Sequence, residues 1–282
     1  MLCELVRTLT ADGMRLDGAY YEAQSPRGIL IFLHGAGSNF YGGAISETLA
    51  EILPPAGWSV LRANTRGHDG VHTSTRAGVA CRQGAAYEMI DESRHDSAAW
   101  VAWASSLPGE AMVLGGHSLG AIKAVYSAAC DSQLPLSGLI AVSPARLSRS
   151  SFQYGPQSME FLATLADAEK SVRDGKGDEL IESPFPMPML ITCSTFVDKY
   201  GGEKYNILEH VTALVIPSLF IFGERELATG GVAFAGLDKA VQHRCSGDKM
   251  EVNVAPKADH FYQGVRVELG HSILSWLEKL SP

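Results

Sequence analysis

Six consecutive residues, Gly28-Ile29-Leu30-Ile31-Phe32-Leu33, place no polar side chain on either side of an extended chain. Side chains alternate across a strand, so such a run must be covered on both faces. A strand of that kind belongs inside a parallel sheet between two layers of helix. Short apolar runs at 59–61, 111–114, 138–142, 218–222 and 250–254 repeat the signal. Helix-length stretches separate them. Residues 44–53 stop at Pro54-Pro55, and 87–107 form a long amphipathic stretch closed by Pro108-Gly109. Residues 121–129 are rich in small side chains, and 265–280 carry apolar residues near helical spacing. Upstream, Asp12-Gly13 between the apolar segments 2–9 and 14–22 predicts a hairpin. The expected fold is α/β, with a mostly parallel central sheet flanked by helices.

Between 143 and 215 the alternation breaks. A structureless loop of roughly 70 residues does not suit a compact domain. Residues 159–172 and 206–214 have helical patterns, while SPFPMPML at 183–190 is interrupted by prolines and cannot be regular helix. The chain therefore divides into a core, 1–143 with 215–282, and an inserted cap, 144–214, over the open end of the sheet.

The formal net charge is −8. A chain this acidic lacks the basic field that nucleic acids attract, and anionic lipid surfaces repel it, so neither is an expected partner. No apolar run approaches the roughly 18 residues that span a bilayer. The opening MLCELVRTLT has no apolar signal region. Cys3, Cys81, Cys130, Cys193 and Cys245 are scattered, with no CxxC among them. They read as free thiols, which points to a reducing cytoplasm. A homo-oligomer stays open, through the cap or an edge strand.

The chemistry concentrates at Gly116-His117-Ser118-Leu119-Gly120. This G-x-S-x-G lies between the apolar AMVLG and the helical AIKAVYSAA, as a nucleophile elbow requires. A serine on that turn projects its oxygen above the sheet edge, and the helix N-terminus adds donors beside it. Serine needs a base, and a histidine base needs a carboxylate to orient it. In this arrangement the chain order is serine, acid, histidine. Of His210, His243, His260 and His271, His260 follows the last strand in a loop at the correct sheet edge. The acid is expected in Gly223-Glu224-Arg225-Glu226-Leu227, with Glu226 preferred over Glu224 and over Asp198 of the cap. After the first buried strand, His34-Gly35-Ala36-Gly37-Ser38 offers the N–H of Ala36, which with that of Leu119 would hold an oxyanion. His34 itself reads as a structural histidine. Phe40, His117, Phe196, Tyr200 and Phe261 are candidates for the pocket wall, and the cap aromatics Phe152, Tyr154, Phe161 and Tyr205 are divided between pocket and packing.

Taken together, HGAGS, GHSLG, the FGERE turn and ADH resemble the α/β-hydrolase superfamily in order and separation. The resemblance implies Ser118 as nucleophile, His260 as base and Glu226 as acid, with Ala36 and Leu119 as oxyanion donors. Glu226 departs from the aspartate more usual there. More narrowly, LRANTRGHD at 61–69, HGAGSNFYGG, GHSLGAIKA and VDKYGG resemble the bacterial relatives of fungal siderophore esterases. That likeness implies a hydroxamate-type or similarly polar acyl ester, with Arg66, His68 and Asp69 as scaffold at the pocket rim.

Competing classes fit less well. A dinucleotide G-x-G-x-x-G would need a small residue where Phe40 stands. No P-loop, H-E-x-x-H or S-x-x-K pattern accompanies the serine, and neither metal nor cofactor is expected. A non-catalytic receptor with this fold has no use for a complete Ser–His–acid set. The expected activity is hydrolysis of a small to medium-sized, modestly polar carboxylic ester through an acyl-enzyme. Acyl transfer and thioester, amide or C–C cleavage use the same groups.

Overall fold

The computed structural model of the protein describes residues 2–185, 187–244 and 249–280. Strands β1 (Glu4–Leu9) and β2 (Arg15–Tyr21) pair antiparallel, with Glu4 opposite Tyr20. Gly13 between them sits at φ +80°, the left-handed conformation the Asp12-Gly13 turn needs. Every residue of β3 (Gly28–Leu33) is buried. It is followed by α1 (Ala44–Ile52) and β4 (Trp58–Ala63). A hairpin of β5 (His72–Arg76) and β6 (Val79–Gln83) precedes α2 (Ser93–Ala104). Then come β7 (Ala111–His117), α3 (Leu119–Cys130) and β8 (Gly138–Val142). The segment before the next core strand holds α4 (Arg149–Phe152), α5 (Ser158–Arg173), the hairpin strands β9 (Leu180–Ser183) and β10 (Met189–Thr192), and α6 (Cys193–Tyr200). The core resumes with β11 (Ser218–Gly223), α7 (Glu224–Thr229), α8 (Leu237–Arg244), β12 (Met250–Ala255) and α9 (Arg266–Leu277).

The main sheet has eight strands in the order β1-β2-β4-β3-β7-β8-β11-β12. From β4 to β12 all neighbours are parallel. Within β3, Leu30 and Phe32 pack with α1 and α9, whereas Ile29, Ile31 and Leu33 pack with α2 and α3. The two-sided coverage read from GILIFL is therefore realised residue by residue. The parallel strands bring the loops after β3, β7, β8, β11 and β12 to one edge, where ligands of open α/β sheets bind.

Two local expectations give way, and one hairpin was not expected. The stretch 87–107 forms a 3-10 turn at Ile90–Glu92 and becomes α-helical only at Ser93, because Glu88 turns inward to two buried lysines and Met89 is extended. Residues 206–214 form two short 3-10 turns, Ile207–Glu209 and Val211–Ala213, instead of one helix. The side chain of Asn206 caps the first by accepting from the N–H of Leu208. The β5–β6 hairpin carries no apolar alternation and so has no sequence signal. Cys3, Cys81, Cys130 and Cys193 are free thiols, and Cys245 lies outside the described residues. Among the described residues no helix is long and apolar enough to cross a membrane.

Candidate active site

Ser118 links β7 to α3 with φ +56° and ψ −121°, a conformation rare for a side-chain-bearing residue. Its N–H donates to the Val142 carbonyl at 2.9 Å, which pins the turn to β8. The flanking glycines are required sterically. A Cβ on Gly116 would strike the Gly120 backbone, and one on Gly120 would strike the carbonyls of Leu33 and His34. Gly35 lets the loop after β3 approach, since a Cβ there would lie 3.3 Å from that of Ser118.

His260 reaches Ser118 from the loop after β12. Ser118 Oγ lies 3.0 Å from His260 Nε2, and His260 Nδ1 donates to Glu226 Oε2 at 2.8 Å. In this network Nε2 is the acceptor and Nδ1 carries the proton. Glu226 stands at the third position of α7 and is 3% exposed. Its Oε1 accepts from the Gly223 N–H at 2.8 Å and from Ser143 Oγ at 2.6 Å. Tyr262 Oη sits 2.9 Å from Ser143 Oγ, and burial together with the Glu226 charge raises the phenol well above its ordinary pKa. The alternative acids are occupied elsewhere. Glu224 accepts from the Lys257 N–H at 2.7 Å, and Asp198 accepts from Ile90 N–H and Tyr205 Oη at 2.9 and 2.8 Å.

Ser118 opens into a cavity of about 660 Å³. Ala36 and Leu119 line it, and Leu119 opens α3, where first-turn amides have no carbonyl partner within the helix. His117, Tyr200 and Phe261 also line it. Phe40 and Phe196 do not. Phe40 packs edge-on against Tyr41, with its N–H bonded to Asn64, and Phe196 is fully buried against Phe161 and Tyr200. Of the aromatics expected between β8 and β11, Phe152 and Tyr200 reach the cavity, whereas Phe161 and Tyr205 are packed and Tyr154 is exposed.

Three further histidines have different surroundings. His34 donates from Nδ1 to the Gly35 carbonyl at 2.8 Å and accepts from the Thr65 N–H at 3.1 Å. Burial and the Lys123 charge hold its pKa down at about 4, so it is neutral and structural. His117 Nε2 donates to the His260 carbonyl at 2.7 Å, and burial with the nearby imidazole lowers its pKa to about 3. A permanently neutral ring thereby braces the backbone of His260. His68 bonds Asp69 at 2.8 Å, and neither lines the cavity. Arg66 is buried among Asp12, Glu92 and Asp96, each within 2.9 Å, which makes it scaffold.

Beside the cavity lies a buried ion cluster. Glu88 accepts from Lys123 of α3 at 2.5 Å and from Lys199 of α6 at 3.0 Å. Burial alone would raise the carboxyl, but the two ammonium groups outweigh it and pull it down to about 2. One carboxylate serves two amines, so burial lowers Lys199 and Lys123 pushes the same way, with Glu88 offsetting only part. No sequence motif marks Ser143, Tyr262, Phe234 or Glu88. Ser143 had one visible signal, its place directly after a parallel strand.

Fold and site together define an α/β hydrolase. The model of the family Hydrolase_4, described as serine aminopeptidase, S33, matches residues 24–225, well over half of the chain. The chain belongs to that family. The match stops one residue short of Glu226 and leaves out His260. Among solved structures, the α/β hydrolase GrgF from Penicillium sp. sh18 is similar at a TM-score of 0.74 and 16% identity, covering 99% of both chains. Est1E from Butyrivibrio proteoclasticus follows at 0.66 and 13%, covering 98% of both. The Pyrococcus furiosus esterase Pf2001 gives 0.67 and 18%, covering 100% of this chain and 92% of the other. No curated protein matches the sequence.

Proposed function

We propose that the protein is a serine esterase acting on small to medium-sized carboxylic esters. The observation that carries this reading is the unbroken chain of hydrogen bonds from Glu226 through His260 to Ser118 at the wall of a cavity. In the proposed cycle Ser118 Oγ attacks the acyl carbon while His260 Nε2 takes its proton. The carbonyl oxygen, now anionic, receives the N–H groups of Ala36 and Leu119. Glu226 stabilises the imidazolium, which then protonates the departing alcohol. Water activated by the same nitrogen releases the acid and frees Ser118. Residues 144–214 act as the cap, since Phe152, Met187, Lys199 and Tyr200 form part of the cavity wall.

The family description names peptidase chemistry, so the amide reading needs a separate argument. An aminopeptidase must hold a free α-ammonium, which calls for a carboxylate in the pocket. Among the described residues no Asp or Glu lines this cavity, which favours the ester. The test compares a p-nitrophenyl ester with an amino-acid p-nitroanilide. Wild type is expected to turn over the ester and Ser118→Ala to leave it near background, with a phosphonate probe adding its mass at Ser118. Equal ester turnover by Ser118→Ala, or turnover of the anilide alone, overturns the proposal.

A further inference from the structure

The cavity wall contradicts the charge of the molecule around it. The chain carries a net −8, yet among the described residues no carboxylate lines the cavity, and three Lys or Arg residues do: Arg146, Lys199 and Arg266. The Lys199 charge is already engaged by Glu88. The arginines are held differently. Arg146 lies in the loop after β8, where its N–H donates to the Ala233 carbonyl at 2.8 Å. Its Nη1 donates to Val232 at 3.1 Å and its Nη2 to Ala235 at 3.3 Å, both backbone carbonyls. Those residues flank Phe234, whose ring lies 5.1 Å from that of His260. Arg266 opens α9, and its Nε donates to the carbonyl of Phe261 at 3.0 Å, one residue beyond the base. Both guanidinium groups are thus moored to the wall that carries His260.

Neutral carbonyls hold the two groups, and neither has a carboxylate partner among the described residues. A guanidinium has five N–H donors. The bonds above use two side-chain nitrogens of Arg146 and one of Arg266, so each keeps donors for a ligand. Burial works against the Arg146 charge, with no acid to compensate. Arg266, held by Nε alone, keeps its terminal fork open, while Arg146 keeps Nε–H and the second N–H of each terminal nitrogen, and guanidinium donors left free in this way suit a carboxylate.

We propose, building on the esterase reading, that Arg146 and Arg266 form an anion subsite and that the ester this enzyme takes carries a carboxylate. Two substrate pairs test it. p-Nitrophenyl hydrogen glutarate against p-nitrophenyl butyrate puts the charge on the acyl side. 4-Carboxyphenyl butyrate against phenyl butyrate puts it on the leaving side. At least one charged ester should exceed its neutral partner about tenfold or more in kcat/KM, with an advantage that shrinks as salt is added. In Arg146→Gln, Arg266→Gln and the double variant, that ratio should fall about tenfold while the neutral ester reports on the intact triad. Calorimetry of glutarate binding to wild type and to the same variants gives a readout independent of turnover. Ratios near one on both sides, with no glutarate binding that the variants weaken, overturn the subsite and leave the esterase reading standing. Glutarate binding that needs the arginines, without turnover of any ester, sinks the esterase reading and retains the subsite.

Discussion

Glu226 divides its carboxylate between two tasks. One oxygen meets His260, and the other takes the N–H of Gly223 and the hydroxyl of Ser143. Because residue 226 is the third residue of α7, the longer glutamate side chain can fold back on the helix start and still reach the imidazole. An amide cannot accept at all three contacts, so Glu226→Gln is expected to lower kcat by about 10³–10⁴-fold, on the precedent of a triad acid made neutral. Steady-state kinetics beside an unchanged circular dichroism spectrum checks it. Ser143→Ala removes a hydrogen bond to a buried charge and should cost about 1.5–3 kcal/mol of stability by urea titration. The two ends of the serine–histidine pair were legible in the sequence because each sits in a local pattern tied to a strand end. Ser143 and Tyr262 were not, since they act through three-dimensional convergence on Glu226. Phe40 and Phe196 were misread for a related reason. An aromatic near a motif carries no information on which way it faces, and Phe196 found its partners in Phe161 and Tyr200.

At the scale of elements, the turn between β7 and α3 tolerates little. The approach of α3 to the loop after β3 is so close that the methyl of Gly120→Ala would be driven into the Leu33 and His34 carbonyls. Such overpacking should destabilise the protein by about 3 kcal/mol or more, read as a lower urea midpoint or loss of soluble protein. The strands were legible because the five inner parallel strands, β4, β3, β7, β8 and β11, are buried on both sides and leave short apolar runs, whereas the edge strand β12 is only half-buried. Helix starts were less so. The pattern at 87–107 is apolar enough for a helix from its first residue, but Glu88 is recruited by lysines from α3 and α6, both distant in sequence. Its carboxylate fills the space a Gly67 side chain would need. Tertiary electrostatics overrode local propensity there, and no window of sequence contains all the participants.

For the whole molecule, the Glu88 cluster ties α6 to α3, assisted by the Thr192 N–H to Ala86 carbonyl bond at 2.9 Å. Glu88→Gln leaves two buried ammonium groups without their counterion and should cost about 3 kcal/mol or more at neutral pH. The acid limb follows from the same group. Its folded pKa of about 2 lies below the ordinary 4.5, so its stabilisation is complete above about pH 4.5 and is lost as pH falls toward 2. Wild type should therefore lose stability more steeply across that window than Glu88→Gln, as read from urea midpoints at successive pH values. A last consequence concerns Ser118, held at a positive φ that only glycine adopts freely. Readiness for reaction is here a thermodynamic handicap borne by every folded copy, substrate or not. Ser118→Gly should be inert yet melt higher, by about 1 kcal/mol once the looser unfolded chain is counted against the relief. A dead enzyme that outlasts its living parent would measure how far activity and durability pull apart in this protein.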